Sequence, residues 1–306
     1  MDGAKTENRL VVIGILFGII AALIWGVFPV VTQKSIEHNL SAYDIAALRF
    51  MVAGPLLIPV LWRLKLTGIT WLGAILLTCG AGAPYLLLAI TGLEYAPAAH
   101  FGAITPSSML IFTAIGSWLW LGDKFTLKRV FGTLIIVLGI LVISWEGLQS
   151  VRGDEWIGDL IFVIAGLFWA AYTLALRHWN ISPIHAIALL SVVSMMLYLP
   201  GYFMFATSGL FVAPLADVIF QAVFQGIIAV FVALLLYSKA VAILGAAKGA
   251  LFGALVPTVA LLLAIPILGE SPTGIQVLGV ILVTFGMLLA LGLFAEKRSL
   301  QKKVIG

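Results

Sequence analysis

Long runs of apolar residues, separated by short polar segments, follow one another along this chain from residue 10 onward. Each run has about the 20 residues that a helix needs to cross the hydrocarbon core of a bilayer. Because the runs are continuous rather than alternating, they predict spanning helices and not the strands of a barrel. We delimit ten spans: 10–32, 43–62, 70–92, 96–120, 127–145, 156–179, 184–206, 214–238, 243–268 and 273–294.

The composition agrees with a protein embedded in lipid. Of the 306 residues, 62% are hydrophobic and 10% are charged, whereas soluble domains carry about 25% charged residues. The first apolar run is too long for the core of a signal peptide, so we interpret it as a retained helix. A single cysteine, Cys79, gives no internal disulfide and no cysteine cluster for a metal.

The positions of the basic residues predict how the spans are oriented. With the N-terminus in the cytoplasm, most of the 17 Lys and Arg residues fall in cytoplasmic segments, whereas the outer loops hold Lys34 and Arg152. Basic residues mark the cytoplasmic side of membrane proteins. The net charge of +4 is therefore a topology signal and not a nucleic-acid surface. We expect a multi-pass protein of the bacterial inner membrane with both termini in the cytoplasm.

The two halves of the chain are similar in sequence. The triplet Leu121-Gly122-Asp123 returns as Leu268-Gly269-Glu270, 147 residues later, and the same shift places Gly132 on Gly279 and Gly139 on Gly286. We therefore predict an all-α membrane protein with two five-helix repeats, residues 10–145 and 156–294. Five crossings are an odd number, so the second repeat would be inverted in the bilayer. Inverted repeats around a central cavity are a common plan of secondary transporters.

Several short patterns resemble one known family. Trp25-Gly26 in span 1, Leu48-Arg49-Phe50 in span 2, and the Leu-Gly-Asp and Leu-Gly-Glu endings of spans 4 and 9 are similar to the EamA family of the drug/metabolite transporter superfamily. The resemblance covers about residues 12–294. It implies a secondary transporter of small metabolites, and within the family the chain resembles bacterial exporters of aromatic amino acids.

Two polar residues within or beside spans are candidate ligands of a substrate. Lys248 lies early in span 9, and His100 is its counterpart in span 4. Ionisable residues at membrane depth usually face a watery cavity or a partner. The alternatives are a lysine whose stem snorkels to the cytoplasmic surface, and a histidine at the outer interface or in a satisfied helix contact.

Aromatic and amide side chains supply the other candidates. Trp25 and Trp169 occupy equivalent positions in spans 1 and 6, and Tyr172 shares a helix face with Trp169 by its spacing. Such rings either wall a cavity or serve the interfacial belt and helix packing. The complete predicted substrate site is Trp25, Tyr85, His100, Trp169, Tyr172, Gln221, Gln225 and Lys248.

Other residues are predicted to have structural roles. Arg49 follows Asp44 by five residues, so it is expected to pair with that carboxylate or else to bind a substrate carboxylate. The run Gly80-Ala81-Gly82-Ala83-Pro84 predicts a kink or a thin packing face. Spans 5 and 10 are expected to pack peripherally against each other, with Val283 turned outward.

No enzyme motif is present in the sequence. It contains neither the H-E-x-x-H pattern of zinc hydrolases nor a phosphate-binding G-x-x-x-x-G-K-[ST] loop. We therefore expect no catalysis, no cofactor and no ATP-driven step. The predicted partners are the lipid bilayer and a small-molecule substrate, an amino acid first and another metabolite such as a purine, a sugar or a drug-like compound as the alternative. A non-transporting membrane receptor or scaffold would explain the spans but not the inverted duplication.

Overall fold

The computed structural model describes residues 2–63, 69–122, 126–149, 154–206, 209–244 and 252–290, and within these residues the chain is helical and has no strand. Its helices, in chain order, are α1 (Asp2–Glu37), α2 (Ala42–Arg63), α3 (Trp71–Ala81), α4 (Ala83–Tyr95), α5 (Ala98–Leu121), α6 (Leu127–Gln149), α7 (Glu155–His178), α8 (Pro183–Phe205), α9 (Leu215–Val223), a π-helix (Phe224–Val232), α10 (Ala233–Leu244), α11 (Val256–Leu268) and α12 (Gly274–Ala290).

Within the described residues, the helices follow the ten apolar runs. Eight helical stretches are long and apolar enough to cross a membrane, and α11 and α12 are shorter apolar helices. Large apolar side chains such as Leu134, Leu197 and Phe203 are exposed on the outside of the bundle. Because soluble proteins rarely expose so much contiguous apolar surface, this perimeter is the face that meets lipid. The predicted all-α membrane fold is confirmed.

The helices of the first five spans pack on those of the last five in matched pairs. The contact of α1 with α10 corresponds to the contact of α7 with the third span, which consists of α3 and α4. The contact of α1 with α11 corresponds to the contact of α7 with α5. The remaining large contacts join counterparts directly, α2 with α8 and α6 with α12. Exchanging the two halves therefore leaves the packing scheme unchanged. Even the helix ends agree, because α5 and α11 both stop at a glycine in the left-handed region, Gly122 with φ +72° and Gly269 with φ +69°.

Four glycines bring α6 and α12 into close contact, as predicted for spans 5 and 10. A methyl group added at Gly139 would lie 2.9 Å from the carbonyl oxygen of Gly279, and one added at Gly286 would lie 2.9 Å from that of Gly132. The helices are antiparallel, since Gly132 meets Ala290 near one end of the contact and Gly279 meets Ile143 near the other. Small residues allow this approach of two backbones in a membrane.

The expected outward orientation of Val283 is wrong. Val283 is fully buried in the contact between α6 and α12, where its side chain packs on Gly139. The helix pattern around it is apolar on every side, as is usual for a span in lipid, so it does not distinguish the lipid face from the packed face.

We expect Gly139→Ala and Gly286→Ala each to lower the free energy of unfolding by about 1–3 kcal/mol, the usual penalty for overpacking. The added methyl group would press on backbone atoms of the facing helix, which cannot rotate away. Thermal unfolding of the purified protein in detergent measures the effect. The matched control is Gly201→Ala in α8, where an added methyl group meets no atom of the described chain within 4 Å. Equal melting temperatures for all three variants would contradict the tight contact.

Candidate substrate site

The third span is interrupted at its middle. α3 ends at Ala81, Gly82 is not helical, and α4 begins at Ala83, whose backbone N–H donates to Ser194 Oγ at 3.1 Å. A methyl group on Gly82 would lie 2.4 Å from that hydroxyl oxygen, so the close approach of α8 requires glycine here. Pro84 then suits the first turn of the new helix, because its missing N–H has no partner to lose there. The kink predicted from this run is therefore a break between two helices.

Three aromatic rings lie together at this break. Tyr85, in the first turn of α4, meets Trp169 of α7 edge to face with ring centroids 4.8 Å apart, and Trp169 meets Tyr172 at 5.8 Å. Both tyrosines are buried and the tryptophan is half-buried. Tyr172 also packs against Gly80, where an added methyl group would lie 2.7 Å from the tyrosine backbone nitrogen. The packing of α3 and α4 on α7 thus brings three of the predicted site residues together.

A second aromatic pair repeats the first in the other half of the protein. Trp25 of α1 meets Tyr237 of α10 with ring centroids 5.2 Å apart. α1 and α7 are counterparts, as are the spans that carry Tyr85 and Tyr237, so the pair Trp25–Tyr237 corresponds to the pair Trp169–Tyr85. Sequence reasoning identified both tryptophans but missed Tyr237. Its signal was a lone tyrosine in an apolar span that matches the span of Tyr85.

Arg49 lies well inside the second span and is buried, with 9% of its surface exposed. Its Nε donates to the backbone oxygen of Gln225 at 3.4 Å, and its guanidinium lies 5.8 Å from the ring centre of Phe28. The helix that carries Arg49 also packs on α4, whose first turn carries Tyr85. Among the described residues, no carboxylate forms an ion pair with Arg49. Arg49 lies in the first half of the 22-residue α2, and an arginine at the centre of a spanning helix costs about 2.5–3.5 kcal/mol on insertion scales.

The expected pairing of Arg49 with Asp44 is wrong. Asp44 accepts hydrogen bonds from the backbone and hydroxyl groups of Ser41 at 2.9 and 2.6 Å, from the Tyr202 hydroxyl at 2.5 Å and from the Gly209 backbone at 3.2 Å. Five residues along a helix is more than one turn, so the two side chains point in different directions. The carboxylate is used to cap α2 and to hold α8.

The eighth span carries the predicted glutamines in an unusual backbone. The nine residues Phe224–Val232 form a π-helix, a rare conformation that is frequent at functional sites. Gln225, at its start, donates through Nε2 to Thr32 Oγ1 at 3.1 Å, and Gln221, one turn earlier, donates to Val31 O and Ser35 Oγ. Both glutamines are fully buried, and neither side-chain oxygen has a hydrogen-bond partner within the described chain. Gln225 adjoins Arg49, whereas Gln221 links α9 to α1.

His100 lies elsewhere, in a polar cluster at one end of the bundle. Its Nδ1 is 2.9 Å from Asp159 Oδ1, and its Nε2 is 3.1 Å from Nε2 of Gln276. Nearby, Glu270 accepts from the Ala98 backbone at 3.2 Å, and burial raises the pKa of its carboxyl. The histidine is therefore held in a contact between α5, α7 and α12, apart from the aromatic rings. Lys248, the other polar candidate, lies outside the described residues.

A broken span and a buried cation within a helical membrane bundle are features that many membrane transporters share. The model of the EamA-like transporter family matches residues 12–145 and again residues 156–292. The chain belongs to the EamA-like transporter family.

Two relatives are named as transporters, and a solved structure has the same fold. An uncharacterized transporter of Archaeoglobus fulgidus is 30% identical over 169 residues, which cover 53% of this chain and 48% of the relative. The uncharacterized transporter YvbV of Bacillus subtilis is 28% identical over 192 residues, which cover 59% of this chain and 60% of the relative. The alignments therefore span about half to three fifths of each relative. A solved crystal structure with 21% sequence identity has the same fold, with a TM-score of 0.64 over 92% of this chain and 98% of that one.

Proposed function

We propose that this protein is a secondary transporter that exports amino acids with apolar or aromatic side chains across the bacterial inner membrane. The observation that carries the proposal is the ring group Tyr85, Trp169 and Tyr172 at the break of the third span, together with the buried Arg49 of α2, a helix that packs on α4. Binding sites for small molecules are mostly apolar with a few convergent polar groups. Rings and a cation at one place match the apolar side chain and the charged end of such a substrate.

We further propose that the two halves, residues 10–145 and 156–294, are inverted repeats that alternate between inward- and outward-facing states around a central cavity. Two observations support this arrangement. The contacts between the halves come in matched pairs, and the counterparts α6 and α12 are antiparallel. Halves related in this way can exchange conformations, which opens the site first to one side and then to the other.

The proposed transport needs no nucleotide, since the sequence has no phosphate-binding loop. The experiment is counterflow into liposomes that contain the purified protein and are preloaded with one unlabelled compound at a time. We expect labelled phenylalanine, tryptophan or leucine to accumulate without ATP in liposomes preloaded with amino acids. Accumulation only with purines, sugars or drug-like cations would favour the alternative substrate classes, and no accumulation with any compound would favour a receptor or scaffold.

The proposed orientation predicts which loops face the outside. In a background with Cys79→Ala, a cysteine at Phe211, which is 95% exposed before α9, should react with an impermeant maleimide added to intact cells. A cysteine at Trp71, which is 89% exposed at the start of α3, should react only after the cells are opened. The reverse labelling pattern would place both termini outside the cytoplasm.

The remaining site residues stay predictions. His100 is proposed to bind substrate at the end of the bundle where α5 begins, and Lys248 is proposed to bind substrate from the ninth span. Lys248→Ala is expected to lower transport while the protein still reaches the membrane.

A further inference from the structure

The guanidinium of Arg49 has more hydrogen-bond donors than the described chain uses. Arginine offers five N–H donors in a planar fork. One of these, on Nε, meets a backbone oxygen at 3.4 Å, and the ring of Phe28 lies on one side. The two terminal nitrogens have no hydrogen-bond acceptor within the described residues. A buried fork with free donors matches the two oxygens of a carboxylate, which arginine binds in a bidentate manner.

The helix break strengthens the case for an anion. α4 has thirteen residues and begins in the middle of the third span. The positive end of its helix dipole therefore lies at the break, inside the membrane. In transporters with discontinuous helices, such half-helix ends face the anionic group of the substrate. Tyr85 stands in the first turn of α4, and α2, the helix that carries Arg49, packs on α4, so the helix end and the cation lie on contacting helices. The Tyr85 hydroxyl forms no hydrogen bond within the described chain.

Gln225, which contacts Arg49 through its backbone oxygen, also has an unpaired hydrogen-bond acceptor in its side chain. The Gln225 side chain is fully buried, and its Oε1 has no partner among the described residues although its Nε2 is bound to Thr32. The backbone oxygen of the same residue accepts from Arg49. One acceptor and one cation on neighbouring residues are the complement of an ammonium and a carboxylate on a single carbon.

We propose that Arg49 binds the carboxylate of the substrate and that the Gln225 side-chain oxygen accepts a hydrogen bond from its ammonium group. This proposal rests on the proposed transport function and narrows it to substrates that carry a carboxylate. Tyr85 and Trp169 then contact the apolar side chain. Analogues in which a neutral group replaces the carboxylate are rejected, because they leave the guanidinium buried without an anion.

The test compares phenylalanine with phenylalaninamide, which differ in the charge of one group. In wild-type counterflow we expect the amide to compete at least tenfold more weakly than the acid, the usual size of one lost charge-assisted hydrogen bond. In Arg49→Gln we expect the affinity for phenylalanine to fall at least tenfold and the difference between the two compounds to shrink below about twofold. Arg49→Lys should keep part of the discrimination, since it keeps the charge and loses the fork.

The control variant is Lys34→Gln. It removes an exposed cation of α1 that is paired with Glu37. It should keep wild-type affinity and wild-type discrimination. Gln225→Leu should lower the affinity for phenylalanine. It should leave the affinity for phenylpropionate unchanged, because phenylpropionate has no ammonium group. Equal competition by the acid and the amide in wild-type protein, or unchanged discrimination in Arg49→Gln, overturns the proposal.

A second measurement keeps the Arg49 proposal testable if no amino acid is transported or if Arg49→Gln fails to fold. In detergent solution, benzoate should raise the melting temperature of the wild-type protein and benzamide should not, because only benzoate carries the anion. Arg49→Lys serves in place of Arg49→Gln if the latter is unfolded, and it should show a smaller benzoate shift. No benzoate shift in wild-type protein, or an equal shift with benzamide, overturns the anion site independently of the transport function.

Discussion

Replacing Trp169 with alanine is expected to reduce transport of an aromatic amino acid at least tenfold. Trp169 is the central ring of its group, in contact with both Tyr85 and Tyr172. Its removal takes away the apolar surface against which a substrate ring would pack and loosens both tyrosines. Aromatic pairs contribute about 0.5–1.5 kcal/mol each beyond the area they bury, and about 1.4 kcal/mol corresponds to a tenfold change. Initial rates of counterflow at low substrate concentration measure the loss.

Two further variants separate a substrate contact from a packing defect. Trp169→Phe keeps an aromatic face and should retain most of the transport. Trp62→Ala removes a tryptophan that is 87% exposed. The transport rate per amount of protein in the membrane should stay unchanged. Full transport by Trp169→Ala with normal expression would place the substrate away from this group of rings.

Replacing Asp44 with alanine is expected to cause the largest loss of stability among the variants considered. The carboxylate is fully buried and joins Ser41 at the start of α2, Tyr202 of α8 and the backbone of Gly209. Alanine would leave several buried donors without an acceptor, at about 1–3 kcal/mol for each group. We expect a loss of about 3 kcal/mol or more, seen as a melting temperature lowered by roughly 10 °C.

Partial variants test whether the network carries this stability. Tyr202→Phe removes one donor and keeps the carboxylate bound to Ser41 and Gly209, so it should cost less than Asp44→Ala. Glu37→Gln alters an exposed carboxylate that is paired with Lys34 on the same helix, and such pairs contribute about 0–1 kcal/mol. A melting temperature of Asp44→Ala that matches that of Glu37→Gln would show that the network is not a structural anchor.

Two predictions from the sequence are wrong, and both concern the direction in which a side chain points. Arg49 was expected to pair with Asp44, but Tyr202 and Gly209, more than 150 residues away, take the carboxylate. Val283 was expected to face lipid, but it packs on Gly139. Within a span where almost every residue is apolar, the sequence carries no periodic signal that separates the packed face from the lipid face. Only the neighbouring helix decides which face is buried.

The pattern of apolar runs by itself determined the helical class and the ten spans, because the bilayer demands about 20 apolar residues per crossing. The return of the same glycines after 147 residues predicts the duplication. It also determined that spans 5 and 10 meet through glycines. The tertiary structure alone decided that Tyr85 joins Trp169, that Tyr237 repeats this pair, that the eighth span turns into a π-helix at Gln225, and that Arg49 has no carboxylate partner in the described chain. These are contacts between distant segments, and local sequence does not encode which segment arrives opposite a given side chain.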